Sequence, residues 1–342
     1  MPVHAFDADA PVSVFTFLDQ SVSARGREHW LWKYRIGSDQ PAAFYWQDDD
    51  GTVSGFIGLM RTTMQTEGSE QPAAWFVDWH VLPGAQSVGV GMGLLRKAEA
   101  AAGMLLTLQG SADTREILPR LGWKQSSAPS NWVLPLTSRF AASWIEQRAG
   151  SWSRGIARLL GAAASPFYRP AMQATPLEDV EVVDIDRFPA DYDRVWKTRS
   201  QEFAPSMRRD SDYLNYLCAE YPDAGYRLQL LELSGKTAGH LITRIDTDRN
   251  RLQRGRIVDI VWPKARPELA SWLLRSACRQ LRASGADYAE CVASKAELQE
   301  ALSACRFRRR KTVPIWYHRL GDSVPDPDTW HITFLDCDRA YR

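Results

Sequence analysis

Asp78 and His80 stand two residues apart in Trp75-Phe76-Val77-Asp78-Trp79-His80-Val81. A carboxylate and an imidazole are the side chains best suited to taking a proton near neutral pH. Trp75, Val77, Trp79 and Val81 alternate with Phe76, Asp78 and His80, and both sets are rich in aromatic or branched residues, which predicts a strand. A two-residue period puts Asp78 and His80 on one face of it. Each has a plainer role: a structural hydrogen bond for Asp78, and a satisfied, half-buried imidazole for His80.

Pro83 and Gly84 stop the strand, and Gly89, Gly91 and Gly93 lead into Leu94, Leu95 and Ala98 at helical spacing. The first turn of a helix has amide groups without partners and a positive dipole end, and glycines let an anion approach them. The third glycine of a dinucleotide fingerprint is missing, and no Gly-Lys-Ser/Thr follows. Instead, Gln86-Ser87-Val88-Gly89-Val90-Gly91, preceded by Val81-Leu82-Pro83 and followed later by Leu121-Gly122-Trp123, resembles the Gln/Arg-x-x-Gly-x-Gly/Ala motif of the GNAT acyltransferase superfamily.

That resemblance implies a coenzyme A site formed by Trp79, Val81, Gln86, Ser87, Val88, Gly89, Val90, Gly91 and Met92, with acetyl-CoA or another acyl-CoA as donor. It implies direct attack of an amine on the thioester, with Asp78 or His80 as base or water holder. The family's usual acid, a tyrosine five residues before the Leu-Gly-Phe aromatic, is replaced by Leu118. A narrower resemblance, to GNAT-like proteins linked to bacterial polysaccharide assembly, rests on Arg27-Glu28-His29-Trp30-Leu31-Trp32-Lys33-Tyr34 and on the ending Trp330-x-x-Thr333-x-x-Asp336-x-Asp338. It suggests an amino-sugar acceptor on a platform of Trp30, Tyr34 and Trp75, for which core packing is the plainer explanation. A Fem-type aminoacyl transferase and a non-catalytic acyl-CoA-binding scaffold are the competing readings.

The elements that must position these residues recur. Gly51 to Gly55, Trp75 to Trp79 and Leu118 to Trp123 find counterparts, in the same order, at Ser234 to Gly239, Arg256 to Ile260 and Leu302 to Phe307. The chain therefore reads as α/β (α+β) with two tandem GNAT-like domains: an acyl-CoA-binding domain at 1–137, a helical linker at 138–175, and a degenerate domain with a C-terminal tail at 176–342. In the first domain the pattern predicts strands at 12–17, 43–46, 53–61, 75–81 and 104–108, helices at 27–34 and 113–121, and a closing strand at 131–135. In the second it predicts helices at 212–220, 267–283 and 295–305 and strands at 225–233, 237–245, 255–261, 288–292 and 313–320, with 330–334 as a final strand or plug. At the counterpart of the glycine loop stands Val261-Trp262-Pro263-Lys264-Ala265-Arg266-Pro267, where prolines remove amide donors, so one donor site is expected.

The 342 residues suffice for two cores, and a net charge of +1 with 24% charged residues argues against a nucleic-acid partner. Segment 138–175 mixes tryptophans and arginines and could touch an anionic membrane surface; a helix packed across the domain junction is the simpler expectation. No apolar run is long enough to span a bilayer, and no basic start with an apolar run marks a secretory signal. Five cysteines without C-x-x-C spacing fit reduced thiols in a cytoplasm, and the histidines show no metal-ligand spacing. The basic run 306–311 reads as a charged strand edge, with a diphosphate on the acceptor as a further reading.

Overall fold

The computed structural model describes residues 2–34, 41–140, 142–143, 176–223, 225–318, 325–338 and 341. The expected linker, 138–175, lies almost wholly outside them. The first lobe opens with a short strand β1 (Val3–Ala5), then helices α1 (Val12–Ser21) and α2 (Arg27–Lys33). Segment 12–17 is thus helix rather than strand. Val14, Phe15, Phe17 and Leu18 are its buried residues, and they make an i, i+1, i+3, i+4 stripe that only a helix can bury on one side.

Strands β2 (Ala43–Gln47), β3 (Val53–Thr66) and β4 (Ser69–Val81) form an antiparallel meander. A 3-10 turn over Pro83–Val88 leads into α3 (Val90–Ala101). Then come β5 (Met104–Leu108), α4 (Ala112–Arg120), β6 (Lys124–Ser126) and β7 (Ser130–Pro135). The second half contributes β8 (Val180–Ile185), α5 (Tyr192–Phe203), β9 (Ser206–Met207) and α6 (Ser211–Leu214), which runs on into a π-helical turn over Asn215–Ala219. It continues through β10 (Tyr226–Leu233), β11 (Lys236–Thr247), β12 (Gln253–Val261), α7 (Glu268–Ala283), β13 (Tyr288–Ala293), α8 (Ala296–Ala304), β14 (Arg308–Thr312) and β15 (Ile315–His318).

Among the described residues these strands form two mixed sheets. One runs β1-β2-β3-β4-β5-β15-β6, with β9 beside β3; the other runs β14-β7-β13-β12-β11-β10-β8. The lobes do not divide where the sequence does. β7, expected to close the first domain, pairs antiparallel with β13 and β14 of the second sheet, and β15 lies between β5 and β6 of the first. Each lobe borrows the other's last strand, so neither sheet is complete from one half of the chain. One buried core runs through both lobes, from Trp30 and Trp75 to Ile257 and Trp330, while a smaller one under α3 gathers Phe76, Leu94, Leu95, Leu118 and Trp123. All five cysteines are buried and unpaired with one another, and no described helix is long and apolar enough to cross a membrane.

Candidate active site

β4 and β5 run parallel but pair only from Ala73↔Met104 to Trp75↔Leu106. Beyond Trp75 they part, and the gap is a cleft of about 990 Å³ whose walls include Phe76, Val77, Asp78, Trp79 and His80 from β4 and Thr107 to Ser111 from the end of β5. A bulge shapes the β4 wall. The register with β3 steps from Gly58↔Val77 to Phe56↔His80, and Asp78 takes φ +51°. A β-bulge re-aims side chains, and here it shifts the alternation. Trp75 and Val77 face the large core, whereas Trp79 and Val81, expected on the same side, pack on the α3 core with Phe76.

Asp78 and His80 both line the cleft, in different environments. Asp78 is buried: Lys33 Nζ and Tyr34 OH each donate to its Oδ2 at 2.5 Å, and Lys33 also reaches Asp338 Oδ2 at 3.2 Å. Its carboxylate is thus anchored to α2. His80 stays half-buried with its ring edge-on to Phe17 at 5.8 Å. Partial burial pulls its pKa below the usual histidine value, which leaves a neutral imidazole at pH 7 that can accept a proton.

Gly89, at φ +85°, is the turn into α3 and adopts a left-handed conformation that costs other residues about 1–2 kcal/mol. α3 has no side-chain cap and no acidic residue in its first turn, so the amides of Val90, Gly91 and Met92 are available to an anion. Gly91 brings the helix against Trp79 and Val81: a Cβ there would lie 3.3 Å from the Trp79 ring. Gly93 has another reason, since a Cβ would come within 2.7 Å of Trp46. The Val90 side chain is buried under the sheet, Val88 is exposed, and Gln86 leans back on the Val81 carbonyl at 3.4 Å. The Ser87 side chain lies outside the described residues. None of the described side chains of 86–92 is part of the cleft wall; they stand beyond the end of β4.

The proposed aromatic platform is elsewhere. Trp30, Tyr34 and Trp75 are buried core residues that do not line the cleft. Trp30 donates to Asp19, and the Tyr34 ring packs so closely on Gly58 that a Cβ there would lie 2.2 Å away. A platform needs exposed rings, and burial in the core removes these from that role. Leu118 is fully buried under α3, so the acid's usual position holds packing. Sequence reasoning missed the far wall, where Arg254, Arg256, Tyr288, Glu290 and Phe334 from the second lobe and the tail face β4 across the cleft. Asp338 was legible only as part of the closing motif.

No family model and no curated protein matches the chain. Solved structures do. A GCN5-related N-acetyltransferase from Anabaena variabilis superposes with TM-score 0.63 at 12% identity, over 93% of this chain and 72% of that one. The chain has the GNAT fold, in two tandem lobes. A probable N-acyltransferase from Enterococcus faecalis gives TM-score 0.60 at 9% identity, over 92% of this chain and 71% of its own. Saccharomyces cerevisiae N-myristoyltransferase with bound myristoyl-CoA gives 0.62 at 12%, over 96% and 81%. Among the described residues no group of three or more His, Cys, Asp or Glu is disposed to hold a metal ion.

Proposed function

We propose that the protein is an acyl-CoA-dependent N-acyltransferase that moves an acetyl group to an amine without a covalent enzyme intermediate. The observation that carries this reading is the open splay of β4 and β5, bulged at Asp78, beside an uncapped helix that starts at a left-handed glycine. The cleft holds donor and acceptor side by side, which converts the encounter into a local step. The amine nitrogen attacks the thioester carbon, the C–N bond forms and the C–S bond breaks. His80 receives the ammonium proton before attack, directly or through water, and the second proton that nitrogen sheds as the amide forms passes through solvent to the departing thiolate. Asp78, held by Lys33 and Tyr34, fixes the bulge and the field around the reacting carbonyl.

The five buried thiols, none of them in a disulfide, are in keeping with a cytoplasmic site of action. The buried Leu118 favours a second reading, a non-catalytic acyl-CoA-binding protein.

The test is calorimetric titration with coenzyme A and acetyl-CoA, followed by thiol release from acetyl-CoA across a panel of amines that includes amino sugars. One site per chain and turnover are expected. Binding without turnover on any amine would favour the second reading. No binding would remove the donor site and send the work to an aminoacyl-tRNA-dependent transferase.

A further inference from the structure

The two ends of the cleft carry opposite charge. Toward β4 the ionisable groups are Asp78 and Asp338, answered by Lys33, with His80 beside them. Toward the second lobe, Arg249, Arg254, Arg256 and Lys311 enter the wall, with Asp248 and Glu290. Those carboxylates are already engaged: Asp248 accepts from Tyr288 OH at 3.0 Å, and Glu290 accepts from Asn131 Nδ2 at 2.5 Å and lies 3.7 Å from Arg254. Arg254 and Arg256 share Asp246, at 2.7 and 3.0 Å. Arg256 is buried, and burial together with the charge of Arg254 pushes its pKa down to about 10.

A second cavity of about 610 Å³ adjoins this wall. It shares Asp248, Asn250, Tyr288, Glu290 and Lys311 with the cleft and adds Arg309 and Arg310. Consecutive residues of a regular strand point to opposite faces, yet Arg309, Arg310 and Lys311 all line this one hollow. The register of β14 against β7 shifts between Arg309 and Lys311, and such a bulge turns a side chain out of the alternation. β14 is the edge strand of its sheet, where charge and a bulge also guard against pairing, but here the bulge gathers three cations at one hollow. A wall with more cations than carboxylates, set in a concave surface, focuses potential on an anion, and guanidinium groups match phosphate oxygens in pairs.

We propose that the second-lobe wall is an anion subsite for the acceptor, taking a phosphate or diphosphate joined to the amine that His80 deprotonates. The acceptor class is then an anionic amine such as a phosphorylated amino sugar, lying with its amine toward Asp78 and Asp338 and its phosphate toward Arg254, Arg256 and Lys311. The assignment of the amine rests on the acyltransferase reading; the anion subsite is tested without it.

Inorganic pyrophosphate is titrated into the protein after saturation with coenzyme A, which fills the start of α3. The comparison is with the double variant Arg249→Glu, Lys311→Glu, whose positions are both exposed, so the fold is retained and is checked by circular dichroism. The expected result is one pyrophosphate per chain, bound at least about tenfold more weakly by the variant and more weakly at higher salt, with coenzyme A affinity unchanged. Absence of binding to the loaded protein, or equal affinity in wild type and variant, would overturn the subsite. If coenzyme A does not bind, the donor reading fails while the comparison of wild type and variant for pyrophosphate still decides the subsite.

Discussion

The two lobes place the same carboxylate on the same strand and do different things around it. Asp78 on β4 and Asp259 on β12 each meet a cation from the helical region that precedes the meander, Lys33 in one lobe and Arg209 in the other. Each cation also meets an acid from the tail, Asp338 and Asp336 respectively. The difference lies in what fills the splay. In the first lobe it is open to the cleft. In the second, β12 and β13 pair only as far as Ile257↔Cys291, and the chain's own tail enters the gap. Leu335 N–H donates to the Val258 carbonyl at 3.1 Å, Ile332 N–H to Ser294 Oγ at 2.8 Å, and Thr333 Oγ1 to Asp259 Oδ1 at 2.7 Å. The helix that follows, α7, begins after Pro267 and carries Glu268 in its first turn, paired with Arg266. A duplicated fold thus leaves one splay open and closes the other with its own backbone. The closure completes the core of the second lobe and holds Asp338 against the first.

The contrast breaks most sharply at the glycine turn. Gly89→Glu puts a carboxylate where the pyrophosphate is expected, and coenzyme A binding should be lost altogether while the circular dichroism spectrum is kept. Retained affinity would mean that the glycine turn does not hold the donor's pyrophosphate.

Asp259 separates structure from catalysis. Burial alone would raise its pKa, but Arg209 and His240 outweigh that and hold it well below the usual carboxylate range. Asp259→Asn leaves Arg209 without its nearest carboxylate, and a loss of about 3–5 kcal/mol in urea unfolding is expected, with coenzyme A affinity in the surviving folded protein unchanged. Asp78→Asn should lower both stability and turnover. Equal effects from the two substitutions would erase the distinction drawn between the lobes.

His80→Ala should reduce kcat/KM by about 10²-fold with little change in donor affinity. For wild type, the rate should rise with pH through a pKa below about 6.5, since the base must be neutral. A variant that keeps the wild-type pH profile would return His80 to a packing role.

The smallest effect is on stability in acid. Burial, with Lys33 and Arg25 nearby, brings the pKa of His29 down to about 4, although Asp223 lies 4.0 Å away. Below about pH 6.5 the unfolded chain takes up a proton that folded His29 refuses. Stability is therefore lost as pH falls from there toward 4. His29→Gln should flatten this part of the urea midpoint against pH; an unchanged slope would assign the acid sensitivity to the buried His331 of the second lobe, whose pKa burial also lowers.

Much of the first lobe was legible because its signals are local. The alternation at 75–81, the punctuation at Pro83 and Gly84 and the glycines before Leu94 each report on backbone a few residues long, and they placed β4, the glycine turn and α3. The repeated landmarks also brought out the duplication, since Asp259 follows Arg256-Ile257-Val258 as Asp78 follows Trp75-Phe76-Val77. Two things escaped. The period-two reading assumed a regular strand, and the bulge at Asp78 moved Trp75 and Val77 to the other side from Trp79 and Val81. The aromatic run at 30–34 looked like a platform because a buried tryptophan and an exposed one are spelled alike.

The sequence by itself determined most of the elements, though not α1, β8 or α5, together with the single glycine turn and the loss of its counterpart between Pro263 and Pro267, since these depend on local periodicity and on backbone chemistry that glycine and proline alone supply. Only the tertiary structure decided that β7 and β15 trade sheets, that the tail closes the second splay, and that Arg254, Arg256 and Lys311 face Asp78 across one cleft. Pairing between strands far apart in the chain is chosen by which burial satisfies all backbone groups at once, and no window of sequence contains that choice.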